Sequence, residues 1–162
     1  MRHFIGIDPG AKGAVAVITE LSERTDVTVI DMPTMKIGGK TAVDAHKLSE
    51  HLGKLRKEEV ELCVVEDVHS MPGQGVVSAF SFGRNFGTIE GVLAALQLPR
   101  TLVKPQEWQR VMPCGASSDK AEHIAAARQM LPQCNNVLTA KSHDGRADAI
   151  LIAVYARKAA GR

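Results

Sequence analysis

Within the first 31 residues, three short runs with strand patterning are separated by gaps of only a few residues, so they must lie side by side. Phe4 to Asp8 is apolar and ends on an acid. Ala14 to Thr19 alternates alanine with β-branched residues, and Val27 to Asp31 is closed by Met32-Pro33. The first link, Pro9-Gly10-Ala11-Lys12-Gly13, is a tight hairpin connection with two glycines. The expectation is an antiparallel meander.

Beyond it the periodicity changes. Lys36 to Lys40 reads as a Gly- and Lys-rich loop. From Asp44 onward Ala45, Leu48, Leu52 and Leu55 recur at helical spacing. Glu61 to Glu66 is a strand of the kind buried on both faces of a parallel sheet. A MetProGlyGlnGly loop follows, then a helix from about Val77 to Leu98 with a small-residue face of Gly87, Thr88, Gly91, Ala94 and Ala95. Thr101 to Val103 is a last short strand, and Pro105 opens a short helix carrying Glu107 and Trp108. Ser117-Ser118-Asp119 starts a helix that stops at Pro132, and Gln133 to Leu138 reads as loop. The final helix runs from Asp144 to about Ala159. Three hairpin-linked strands followed by alternating helices and strands predict an α/β fold, a mixed five-stranded sheet with helices on both faces.

At 162 residues this is one domain, 1–162, long enough to bury a core without staples. Cys63, Cys114 and Cys134 form no CxxC pair, which argues against a zinc site or a disulfide framework and fits a reducing cytoplasm. The first ten residues do not read as a signal peptide, and no apolar run approaches a membrane span. The net charge of +2 neither requires nor excludes nucleic acid. Acids gathered at a metal site would leave the remaining surface more basic than the total.

The acids fall at element ends. Asp8 ends the first strand and Glu66 the fourth. Asp144 and Asp148 open the last helix one turn apart and share a face. Two adjacent strands would bring Asp8 and Glu66 to one edge, and the helix would add the others. Such a cluster is unstable without positive charge, and hard divalent cations with oxygen ligands suit it. Each acid also has a plainer reading: Asp8 as a turn former, Glu66 as a solvated strand end with Asp67 beside it, Asp144 as a helix cap. Asp148, between Ala147 and Ala149, is the hardest to explain that way. His143 reads first as a solvent-facing loop residue, with a metal or water contact as the alternative.

Four stretches together resemble RuvC-type Holliday-junction resolvases, in particular their phage and prophage forms. They are IleGlyIleAspProGlyAlaLysGlyAla at 5–14, ValValGluAspValHisSerMetProGlyGlnGly at 64–75, PheSerPheGlyArgAsnPheGly at 80–87 and HisAspGlyArgAlaAspAlaIleLeuIleAla at 143–153. The resemblance spans most of the chain in order. It implies the RNase H/retroviral-integrase fold and a homodimer acting in DNA recombination and repair, in the cytoplasm. Each site would nick one of two opposed strands of a four-way junction. It also implies Asp8, Glu66, Asp144 and Asp148 as ligands of Mg²⁺, two ions per site, with Mn²⁺ as a substitute. In cellular members the last two ligand positions lie three residues apart. Here Asp144 and Asp148 are four apart with His143 adjacent, so the fourth ligand is either His143 or Asp144.

The resemblance also places DNA contacts. Residues after the fourth strand would enter the junction centre, with His69 or Met71 as the wedge; a plain Pro-Gly turn is the competing reading. Lys104, Arg110 and Lys120 lie where the family carries basic residues, and Lys120 is in the first turn of its helix, where backbone N–H groups attract phosphate. Lys12 in the first hairpin and Arg84 are further phosphate candidates. Phe82 and Phe86, one turn apart, suit packing into core or a dimer partner better than stacking on bases. Trp108 reads as a half-buried packing residue.

Other functions fit parts of this pattern. A general branched-DNA or flap nuclease, or an RNase H-type nuclease, would use the same carboxylates. A nucleotide-binding protein of the actin/sugar-kinase type also carries an IleGlyIleAsp-x-Gly-x-x-Gly loop, but that architecture needs two such domains. A catalytically dead junction-binding module would not need all the acids.

Overall fold

The computed structural model describes residues 1–69, 73, 75–115 and 119–161. The main sheet contains β1 (Arg2–Ile7), β2 (Ala14–Glu20), β3 (Thr25–Asp31), β6 (Val60–Glu66) and β7 (Arg100–Val103), in the order β3-β2-β1-β6-β7. The meander pairs antiparallel, β1 with β2 and β2 with β3. β6 and β7 extend the sheet in parallel, with Ile7 opposite Val65 and Glu66 opposite Val103. This is the mixed five-stranded sheet expected from the sequence.

One expectation needs correction. The segment read as a Gly- and Lys-rich loop is a small separate hairpin of β4 (Thr34–Ile37) and β5 (Lys40–Val43). Gly38 and Gly39 form its turn with φ of +55° and +77°. Two successive positive-φ residues match the twist of a two-residue hairpin, and glycine adopts them without steric cost. The helices are α1 (Ala45–Leu52), α2 (Val76–Ala95), α3 (Pro105–Arg110), α4 (Lys120–Met130) and α5 (Asp144–Ala160). Asp44 caps α1 through its side chain, and Pro105 occupies the first turn of α3. Asp119 is the cap of α4 and accepts from the Ala121 N–H; Ser117 and Ser118, expected to share that start, lie outside the described residues. The 133–138 stretch read as loop contains a short 3₁₀ turn, Pro132–Asn136.

Strand alternation separates two cores. Phe4, Ala14, Ala16, Ile18 and Val64 face α3, α4 and α5. Ile5, Ile7, Val15, Cys63 and Val65 face α1 and α2. α5 is apolar nearly all round, with Ala147, Ala149, Ile150, Leu151, Ile152, Ala153, Val154 and Ala156 all fully buried, as expected of a helix enclosed between a sheet and other helices. Each large side chain among them contributes about 1.5–3 kcal/mol by burial.

α5 lies unusually close to β1. A Cβ placed on Gly6 would sit 2.2 Å from the Ala149 carbonyl oxygen and 2.2 Å from the Ala153 nitrogen. Both are backbone atoms, so no side-chain rotation relieves the clash. Gly6→Ala should therefore destabilise the protein by roughly 2 kcal/mol or more, within the range for overpacked cores. Urea unfolding measures this, and an unchanged midpoint would refute the close approach.

Candidate active site

Strand parity decides which side the acids occupy. Phe4, Gly6 and Asp8 share one phase, as do Leu62, Val64 and Glu66, and Phe4, Val64 and partly buried Leu62 belong to the α5-side core. The Asp8 N–H donates to the Ala14 carbonyl at 3.0 Å, which carries the pairing one step past β1. Because β1 and β6 are parallel with Ile7 opposite Val65, Asp8 and Glu66 follow at the same sheet edge. The first turn of α5 meets that edge. A Cβ on Gly145 would lie 2.5 Å from the Lys12 carbonyl oxygen and 3.2 Å from Asp8 Oδ2. A Cβ on Gly13 would strike the Asp8 carbonyl oxygen at 2.2 Å. Both glycines are required for the hairpin and the helix to close around Asp8. Arg146 fixes the helix start from the other side: its Nε and a terminal N–H donate to the two Asp31 carboxylate oxygens at 2.6 and 2.7 Å, and a third N–H donates to the Val137 carbonyl at 3.0 Å.

The four carboxylates interact electrostatically. Burial pushes the Asp8 carboxyl up to about 7; the Gly10 N–H donating to Oδ1 opposes the shift, and Glu66, Asp148 and Asp144 add to it. Glu66 is also raised, first by burial and then by Asp148, against the lowering effect of a Trp108 hydrogen bond and of His123. Asp144 is lowered, chiefly by Lys120, whose ammonium group contacts Asp144 Oδ2. Asp148 Oδ1 is in contact with His123 Nδ1.

Among the described residues, no three His, Cys, Asp or Glu side chains are placed so that they hold a metal ion between them. Asp144 and Asp148 are engaged by Lys120 and His123 instead. The chemistry of the set nevertheless suits a hard divalent cation: every donor is a carboxylate oxygen, and the most buried of them is destabilised as an anion first by burial and then by the other three.

The remaining sequence candidates divide by position. His143 is the cap residue of α5, and its Nδ1 accepts from the Thr139 and Ala140 N–H groups at 3.2 and 3.4 Å, so it ties down the preceding loop. Lys12, His69, Lys104 and Lys120 are exposed in the segments that follow β1, β6 and β7 or open α4, and His69 pairs with Asp67 at 3.4 Å. Arg110 and Arg84 are exposed on α3 and α2. Phe82 and Phe86 stack with centroids 6.4 Å apart, and Phe86 packs against the α1/α2-side core. Met71 lies outside the described residues.

Trp108 departs from its sequence reading. It is 1% exposed, and its indole N–H donates to Glu66 Oε1 at 2.9 Å. His123, which the sequence did not single out, is 6% exposed and lies edge-on to Trp108. The available signal was a histidine in an alanine-rich helix.

Because the folded value of Asp8 lies above its ordinary 3.8, its ionised form costs stability. The cost is absent below about pH 4, grows as pH rises and is complete above about pH 7. Asp8→Asn should therefore stabilise the cation-free protein at pH 8, by up to about 4 kcal/mol, and change it little at pH 3. Urea titrations at the two pH values test this, and a variant no more stable than wild type at pH 8 would remove the electrostatic account.

No protein-family model and no curated protein matches the sequence. Solved structures do. Thermus thermophilus RuvC matches with a TM-score of 0.58 at 17% identity, over 96% of this chain and 96% of that one. T. thermophilus RuvC in complex with Holliday junction substrate matches with a TM-score of 0.66 at 16% identity, over 99% and 98%. The chain has the RNase H-like fold of RuvC along essentially its whole length.

Proposed function

We propose that this protein is a divalent-cation-dependent endonuclease that resolves four-way DNA junctions. The observation that carries this reading is the convergence of Asp8, Glu66, Asp144 and Asp148 at one sheet edge, with Asp8 strongly destabilised as an anion. The shared fold supports it, since the RuvC relative was solved with Holliday junction substrate, as do the ordered motifs around the acids.

Asp8, Glu66, Asp148 and Asp144 would hold Mg²⁺, which when bound lowers the pKa of water and offsets charge on the leaving oxygen of a phosphodiester. The protein supplies the frame. Asp8 is fixed by the Gly10 N–H and enclosed by Gly13 and Gly145. Glu66 is fixed by Trp108. His143, committed through Nδ1 to the loop before α5, leaves Asp144 as the better fourth ligand. Lys120, released from Asp144, would take a backbone phosphate together with Lys12 and Lys104, which border the same edge. Hydrolysis would leave a 3′-hydroxyl and a 5′-phosphate.

Paired nicking needs two sites. The exposed face of α2 suits a second copy of the chain: Val76, Val77 and Phe80 are exposed, and a Cβ built on Gly83, Gly87 or Gly91 meets nothing within 4 Å. Small residues along that line permit a close helix–helix crossing.

The test is cleavage of a labelled four-way junction beside a linear duplex, a flap and an RNA–DNA hybrid, with and without Mg²⁺. Paired symmetric nicks in the junction alone are expected. Cleavage of several branched forms would keep the site and broaden the substrate; no cleavage, with ATP bound tightly, would replace this reading with a nucleotide-binding one. Asp8→Asn should reduce cleavage to background while junction binding persists, and retained cleavage would mean the site is misassigned. Lys104→Ala should weaken binding across sequences and lower the log–log salt slope by about 1, and an unchanged slope would remove Lys104 from the interface.

A further inference from the structure

Behind the carboxylates stand two buried rings whose polar atoms are directed at them. Trp108 on α3 donates its indole N–H to Glu66 Oε1 at 2.9 Å. His123 on α4 meets Asp148 Oδ1 through Nδ1. The two rings touch edge to face, with centroids 5.4 Å apart and planes at 63°. Glu66, Trp108, His123 and Asp148 therefore form one continuous chain, which ties an acid on β6 to an acid on α5 through side chains of α3 and α4.

Packing alone does not account for this. His123 Nε2 is buried without a hydrogen-bond partner. Burying an unsatisfied ring nitrogen costs stability that an apolar residue of similar size would avoid. The contact through Nδ1 gives the imidazole a polar purpose, and it implies the tautomer with its proton on Nδ1. Each contact takes one oxygen of its carboxylate, Oε1 of Glu66 and Oδ1 of Asp148. The second oxygen of each stays outside the chain.

We infer that Trp108 and His123 are positioning residues: a bracket that sets the rotamers of Glu66 and Asp148 and so readies the two carboxylates to hold a divalent cation. This rests on the functional reading above. Partners that orient a ligand carboxylate typically change cation affinity 10–100-fold when removed, without touching the cation.

Trp108→Phe keeps the ring and removes the N–H. His123→Leu removes the polar contact, and His123→Asn can return a side-chain donor near the Nδ1 position. Mn²⁺ binding, measured by calorimetry on DNA-free protein, should weaken roughly 10–100-fold in Trp108→Phe and His123→Leu and recover in His123→Asn. Cleavage kcat should fall with KM for the junction unchanged, because neither residue is placed to meet DNA. Trp108 is the chain's only tryptophan, so its single indole N–H resonance also reads the bracket in the unaltered protein, and that resonance should shift as Mg²⁺ is added. Wild-type binding matched by both Trp108→Phe and His123→Leu, or an indole resonance indifferent to Mg²⁺ while calorimetry records binding, would overturn the bracket and leave the nuclease reading intact. Wild-type protein that binds neither cation would overturn both.

Discussion

The backbone contact between α5 and β1 at Gly6 is the constraint on which the rest of the arrangement depends. A helix normally rests on a sheet through a layer of side chains. Here the missing Cβ of Gly6 and the small Ala149 and Ala153 let the helix backbone down onto the central strand. This is why the first turn of α5 reaches the strand ends instead of passing above them. Gly13 and Gly145 continue the same approach at the site itself, where they leave only enough room for Asp8. Two glycines near the N-terminus and one on α5 thus set a single distance, that between the helix acids and the strand acids.

That closeness has an electrostatic cost, and the protein distributes it unevenly. Asp144 meets Lys120 at the surface and is stabilised as an anion, while Asp8, deeper and beside three other carboxylates, is not. Glu66 lies between these extremes, raised by burial but eased by the indole N–H. The gradient runs from a half-buried carboxylate paired with a lysine to a deeper one held by the Gly10 backbone N–H. A site with this gradient attracts positive charge most strongly at its deepest point, where solvent competes least.

Much of this was legible in the chain because the signals are local. The apolar runs Phe4–Ile7 and Leu62–Val65 marked strands ending in the acids Asp8 and Glu66, and the spacing of Asp144 and Asp148 put both on one helical face. The β4–β5 hairpin was missed because Lys, Gly and Thr are ordinary loop residues, and the strand character of 34–37 and 40–43 emerges only when they pair. Trp108 and His123 were missed for a different reason. They stand 15 residues apart on separate helices, and their partners are 42 and 25 residues away. No periodicity within either helix encodes such a meeting; it follows from how α3 and α4 settle against α5. His143, read first as a loop residue, accepts from the Thr139 and Ala140 N–H groups, a local contact that its sequence position alone did not specify.

The strand alternation that separates the two cores also has a mutational consequence. Asp8 and Glu66 share the strand phase that faces α3–α5, while α1, α2 and their apolar neighbours cover the other face. Side chains of adjacent positions in β1 point into different compartments, so mutations on one side need not disturb the other. The α2 surface can therefore change while the carboxylates stay where they are. The sheet acts as a firewall: the surface on one side can be remodelled while the carboxylate cluster on the other keeps its geometry.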